Sequence, residues 1–178
     1  MRDALIVSTA RTPLTKSYRG TFNNTTAPTM AGWAIEEAVK RSGVDPEKVD
    51  DVIMGAALQQ GTQHCNVARN SALAAGLPVT VSGMTLDRQC SSGMMAIATA
   101  AKQIISDGMD VAVGGGLDSI SLVQTEKMNL DRWVDKKLIE KHKHIYMPML
   151  KTAEVVADRY NISRESQDEY SLQSQLRT

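Results

Sequence analysis

The chain alternates short apolar runs with longer segments of helical spacing. Residues 4–8, ALIVS, form a continuous apolar run of the kind expected of a strand covered on both faces. The segment PTMAGWAIEEAVKRSG sets Met30, Trp33, Ala34 and Ala38 on one helical face and Glu36, Glu37, Lys40 and Arg41 on the other. Pro28 stands near its start and Gly43 stops it, so Trp33 is expected in the core. A turn and a second apolar strand, at about residues 52–57, complete one βαβ unit.

The alternation of Val79, Val81, Met84 and Leu86 predicts another strand, and DVAVGGG the next, with the apolar segment after Cys90 as the helix between them. CNVARNSALAAGLP reads as a helix ended by Gly76 and Pro78. Two βαβ units with right-handed crossovers predict an α/β fold, a mostly parallel sheet between helices. After Asp118 the pattern changes. EKMNLDRWVDKKLIEKHKH carries six Lys/Arg against four Asp/Glu, with little strand character, and marks an excursion from the sheet up to about residue 149. Two helices follow, the second capped by Ser163, and its apolar pattern is still running at the last residue, as in part of a longer protein. The predicted division is an α/β domain at 1–118 and a second region at 119–178.

Composition narrows the function classes. Lys plus Arg equals Asp plus Glu, 20 against 20, so no global field points to nucleic acid or a membrane surface. No apolar run approaches the ~20 residues of a membrane span, and the first residues turn polar at Ser8, too soon for a signal-peptide core. Two cysteines, Cys65 and Cys90, without a secretory signal make a disulfide framework improbable; the expected compartment is reducing and cytoplasmic.

Candidate chemistry centres on LDRQCSSGMMAIATAAKQ. Residues 91–101 contain no charged side chain, so the helix is expected to be buried all round, its N-terminus at the carboxyl end of the preceding strand. There the helix dipole favours an anion, which would turn Cys90 into a nucleophilic thiolate whose own backbone N–H stabilises an oxyanion. Cysteine is also commonly buried and Ser-Ser-Gly is turn chemistry, so the residues alone leave both readings open. The adjacent His64 and Cys65 point apart and make a poor catalytic pair. His142 and His144 lack further metal ligands, and VGGGLDS does not open a helix as a dinucleotide loop would; close packing or a sharp turn suits it better.

With its flanks, LDRQCSSG resembles the thiolase family, whose nucleophile lies in a pattern close to N-R-x-C-x-S-G; Asp87 stands where asparagine is usual. ARTP, QQGTQHCNVARNSALAAGLP, GGGLDSIS and KTAEVVADRYNISRESQDEYSLQSQ extend the likeness over essentially the whole chain. The resemblance implies the N-terminal half of a thiolase, lacking its last strand, followed by the start of an inserted loop domain. The C-terminal half, with its H-P and C-x-G-G motifs, is absent from the sequence.

It further implies an acyltransferase that cleaves a 3-ketoacyl-CoA with coenzyme A, or runs the reverse Claisen condensation, through an acyl-Cys90 intermediate. Coenzyme A is then a substrate, with no cofactor and no metal, and the chain alone is not expected to turn over. Met149 stands where the family carries an acyl-pocket methionine, but Pro148 and Leu150 replace its usual His and Gly neighbours, which favours a broad degradative specificity over acetoacetyl-CoA. Lys136, Lys137, Lys141 and Lys143 read as a solvated face, or as contacts to coenzyme A phosphates. Homodimers or homotetramers are expected. A decarboxylating condensing enzyme of the same superfamily and a non-catalytic protein acting through subunit association are the alternatives.

Overall fold

Three parallel strands organise the first part of the chain: β1 (Asp51–Gly55), β2 (Ser82–Leu86) and β3 (Ala112–Gly116), in the order β2-β1-β3. The central strand is buried along its whole length, and its alternate residues face opposite layers. Val52 and Met54 pack under helices α1 (Ala27–Ser42) and α2 (Val67–Ala74), whereas Ile53 packs with Ala96 and Ala100 of α3 (Ser92–Lys102). The chain steps from β1 to β2 with α2 on one face and back past β1 to β3 with α3 on the other, as crossovers of one hand require. The βαβ units are therefore β1-α2-β2 and β2-α3-β3.

The computed structural model describes residues 2–178 and divides into two units, one running through Met128 and one at Asn129–Thr178. Sequence patterning set the change at Asp118. Residues beyond it join the first unit through the short α4 (Ile120–Val123): Val123 is buried, Ser121 donates to Asn23 Oδ1 at 3.0 Å, and Tyr18 donates to the Gln124 carbonyl at 2.9 Å. In the second unit α5 (Lys136–Lys141), α6 (Met149–Arg159) and α7 (Arg164–Arg177) follow, and Ser163 caps α7 by accepting the Ser166 N–H, as its sequence position predicts. None of the described helices is long and apolar enough to cross a membrane.

Three expectations are corrected. Residues 4–8 are not a strand: Leu5, Ile6 and Val7 stay exposed, because no layer of this unit covers them and the sheet does not pair with them. The first βαβ unit read from the sequence is therefore not closed. Trp33 is 45% exposed and packs on the Phe22 ring at 6.1 Å; the buried line of α1 is Ala27, Ala31, Ile35 and Val39, at four-residue spacing. Small residues win that face because α1 and α2 approach closely: a Cβ on Gly32 would lie 3.1 Å from the Ala74 backbone. Finally, α3 is buried on one face only, through Ser92, Ala96 and Ala100, while Met94 is 77% exposed. Its outer apolar face has no covering layer in this unit.

The sheet side of α3 is set by glycine. A Cβ on Gly55 would lie 2.2 Å from the Ser92 carbonyl carbon, one on Gly116 2.7 Å from Gly93 Cα, and one on Gly114 2.8 Å from Ile97 Cα. The Gly114-Gly115-Gly116 run is thus a packing surface, one of the two uses its sequence suggests. Gly55→Ala should displace α3 and lower stability by about 1–3 kcal/mol. Gly93→Ala, whose Cβ would meet Gly116 Cα at an ordinary 3.5 Å, should be close to neutral. Denaturant midpoints of the two variants check this; equal losses would contradict the seat.

Candidate active site

The turn from β2 into α3 carries Cys90. Its conformation follows from the polar residues around it. Asp87 accepts the Gln89 N–H at 2.7 Å; Ser92 accepts the Arg88 N–H at 2.8 Å and donates to the Gln89 carbonyl at 2.6 Å; Ser91 donates to the Arg88 carbonyl at 2.9 Å. These bonds hold Gln89 in the left-handed region, φ 50°, which a non-glycine residue occupies only when its surroundings impose it. Cys90 follows as an exposed free thiol, directly ahead of Ser91, which stands at the N-cap position of α3 with its hydroxyl turned to the Arg88 carbonyl. Asp87, the departure from the family pattern, contributes only a carbonyl-type oxygen to the turn, which an asparagine would equally supply.

The turn stands at the carboxyl edge of the sheet, where open α/β sheets bind ligands. Leu86 is in register with Gly55, and Gly55 with Gly116, so the three strand ends lie side by side beneath the first turn of α3. Beyond them, Asp118 Oδ1 accepts from the Ala57 N–H at 3.3 Å and from Gln63 Nε2 at 3.0 Å. Gln63 is buried, its Nε2 also donates to the Leu58 carbonyl at 2.9 Å, and its Oε1 accepts from the Ser119 N–H. Sequence reading missed this cluster. Asp118 lies in the GGGLDS run it singled out, but nothing local marks Gln63 as a partner.

The remaining sequence candidates are elsewhere. Met149 is the first residue of α6 in the second unit, 77% exposed, beside a shallow groove lined by Thr152, Val156 and Ile162. His64 and Cys65 sit on the exposed turn before α2, with Cys65 at φ 48° and its carbonyl held by Asn70. Lys136, Lys137, Lys141 and Lys143 are exposed, as are His142 and His144. Among the described residues no group of three or more His, Cys, Asp or Glu is placed to hold a metal ion.

Partial desolvation raises the Asp118 carboxyl above its ordinary range, and the Asp87 charge adds to this; the bonds from Gln63 and Ala57 act in the opposite sense. The folded chain thus holds this proton more tightly than the unfolded chain. The stability Asp118 contributes is full below the ordinary aspartate value and is lost as pH rises through the raised one. Asp118→Asn keeps an oxygen acceptor and removes the titration. Between about pH 3 and pH 7 the wild type should lose stability relative to this variant, as read from urea midpoints. A difference that is flat, or of the opposite slope, would contradict the assignment.

Comparison with known proteins bears on the same segment. The model of the thiolase N-terminal domain matches residues 4–178. A 3-ketoacyl-CoA thiolase of Bacillus subtilis is 39% identical over 174 residues, which are 98% of this chain and 44% of that protein. The peroxisomal 3-ketoacyl-CoA thiolase 2 of Arabidopsis thaliana is 34% identical over 97% of this chain and 37% of its own length. The crystal structure of an acetyl-CoA acetyltransferase from Bacillus anthracis superposes with a TM-score of 0.81 at 38% identity, over 97% of this chain and 45% of that one. The chain therefore spans less than half the length of these relatives, and over that span it belongs to the thiolase family, as a thiolase N-terminal domain.

Proposed function

We propose that this chain supplies the nucleophile of a thiolase reaction. The Cys90 thiolate attacks the C3 keto carbon of a 3-ketoacyl-CoA, and the oxygen takes the negative charge. As the carbonyl re-forms, the C2–C3 bond breaks; its electron pair leaves on C2, which takes up a proton, and acetyl-CoA departs. The shortened acyl group, now a thioester on Cys90 Sγ, passes to the thiol of a second coenzyme A, whose proton is released as the cysteine is freed. Reversal of the same steps is Claisen condensation. Coenzyme A is consumed and released as a substrate, and the reading calls for no resident cofactor.

One observation carries the reading: Cys90 is an exposed free thiol in a turn held by the side chains of Asp87, Ser91 and Ser92, just ahead of α3 at the carboxyl edge of the sheet. In this reading the Cys90 backbone N–H, near the start of α3, stabilises the negative charge that develops on the substrate oxygen. Met149 and the apolar groove of the second unit are the part of the chain suited to an acyl chain. Assembly as a homodimer or homotetramer is part of the reading. It is supported by the exposure of the apolar residues Leu5, Ile6, Val7 and Met94, side chains of the kind that meet further protein. Action in the cytoplasm is part of the same reading.

Iodoacetamide at neutral pH should alkylate Cys90 well ahead of Cys65, and acetyl-CoA should slow only the Cys90 reaction, both followed by peptide mass mapping. Equal, slow labelling of the two exposed thiols would overturn the assignment.

A further inference from the structure

The glycine seat under α3 has walls that must be kept at a set distance. Gly55 ends β1 and lies against Ser92 and Gly93, and Gly116 ends β3 and lies against Gly93, where the Cys90 turn runs into α3. The ladder between the two strands continues one step, with the Leu117 N–H donating to the Gly55 carbonyl at 3.0 Å. Where its next rung would fall, the Ala57 N–H turns to a side chain instead, Asp118 Oδ1. The same oxygen receives Gln63 Nε2, and Gln63 also binds Leu58 on the β1 side and Ser119 on the β3 side.

Gln63 is 1% exposed, and both polar atoms of its amide are used. A buried amide so satisfied has one arrangement of low energy, because any shift of either wall strands a donor or an acceptor away from water. The segment bearing it is itself fixed from outside, since Gly61 lies against the Leu122 carbonyl of α4, 2.8 Å from where a Cβ would stand. The strand ends are thus tied together just beyond the place where they grip the first turn of α3.

From this juxtaposition we infer that Asp118, held by Gln63, is a positioning residue for Cys90: its Oδ1 bridges the ends of β1 and β3 and so fixes the seat on which the Cys90 turn rests. The inference rests on Cys90 being the nucleophile. Asp118 acts through the strand ends, and what matters is an oxygen acceptor at this point. Losing the acceptor lets the strand ends part, α3 shifts by a fraction of its seat, and the thiol loses its place ahead of the helix start.

The test is the rate of iodoacetamide alkylation at Cys90, with Cys65 in the same molecule as internal reference and thermal melts as a check on folding. Asp118→Ala should slow Cys90 roughly tenfold and leave Cys65 unchanged. Asp118→Asn, which keeps the oxygen, should restore the rate to within about threefold of wild type. Gln63→Met, of similar volume and without the amide, should slow Cys90 as Asp118→Ala does, and carries the test if that variant does not melt cooperatively. A folded Asp118→Ala that labels at the wild-type rate overturns the inference, and so does an Asp118→Asn as slow as the alanine variant. If wild-type Cys90 is itself no faster than Cys65, the nucleophile assignment falls first, and the positioning role with it.

Discussion

Everything at the candidate site depends on how closely one helix approaches the sheet. At Gly55 and Gly116 the backbone of α3's first turn comes within the space a methyl group would need. Such contact leaves no room for a side chain, and the strand ends of β1 and β3 supply glycine there. The approach brings the start of α3 onto the carboxyl edge of the sheet and determines where Cys90, two residues before the helix, must lie. A larger residue at either position would lift the helix and carry the thiol with it.

The turn itself is built from short polar side chains bonded to the backbone. Asp87, Ser91 and Ser92 together account for four hydrogen bonds that hold residues 87–92 in one conformation, with Gln89 in a left-handed geometry it would not choose alone. This is the polar complement of the glycine contact: glycine sets the depth of the helix, and the serines and aspartate set the shape of the loop. Further out, Gln63 and Asp118 close the strand ends. Seat, turn and tie each place the next, and the cysteine stands in the turn as an exposed free thiol.

Local signals in the sequence were reliable where the cause of the structure is local. Gly43 ends α1 in a left-handed conformation and Ser163 opens α7 with its side chain, and both are visible from residue type and position. The three strands of the sheet and their parallel direction also follow from the pattern of apolar runs and intervening helices. What failed was inference from hydrophobicity to burial. Residues 4–8, Trp33 and the outer face of α3 are apolar enough to be buried, yet burial requires a layer to cover them, and that information is not in the run itself. Cys90 was legible as a candidate from its place before an uncharged helix and, through its flanking motifs, from the likeness to thiolases. The Gln63–Asp118 tie was not, because it joins residues 55 positions apart whose pairing only the sheet order creates.

In the proposed reaction Cys90 Sγ carries the acyl group, and a direct measurement is the location of that group after exposure to acetyl-CoA. Peptide mass mapping under acidic quench should find an acetyl group on Cys90 that neutral hydroxylamine removes, as a thioester requires, and none on Cys65. A stable acetyl group elsewhere with Cys90 unmodified, or equal modification of both cysteines, would contradict it.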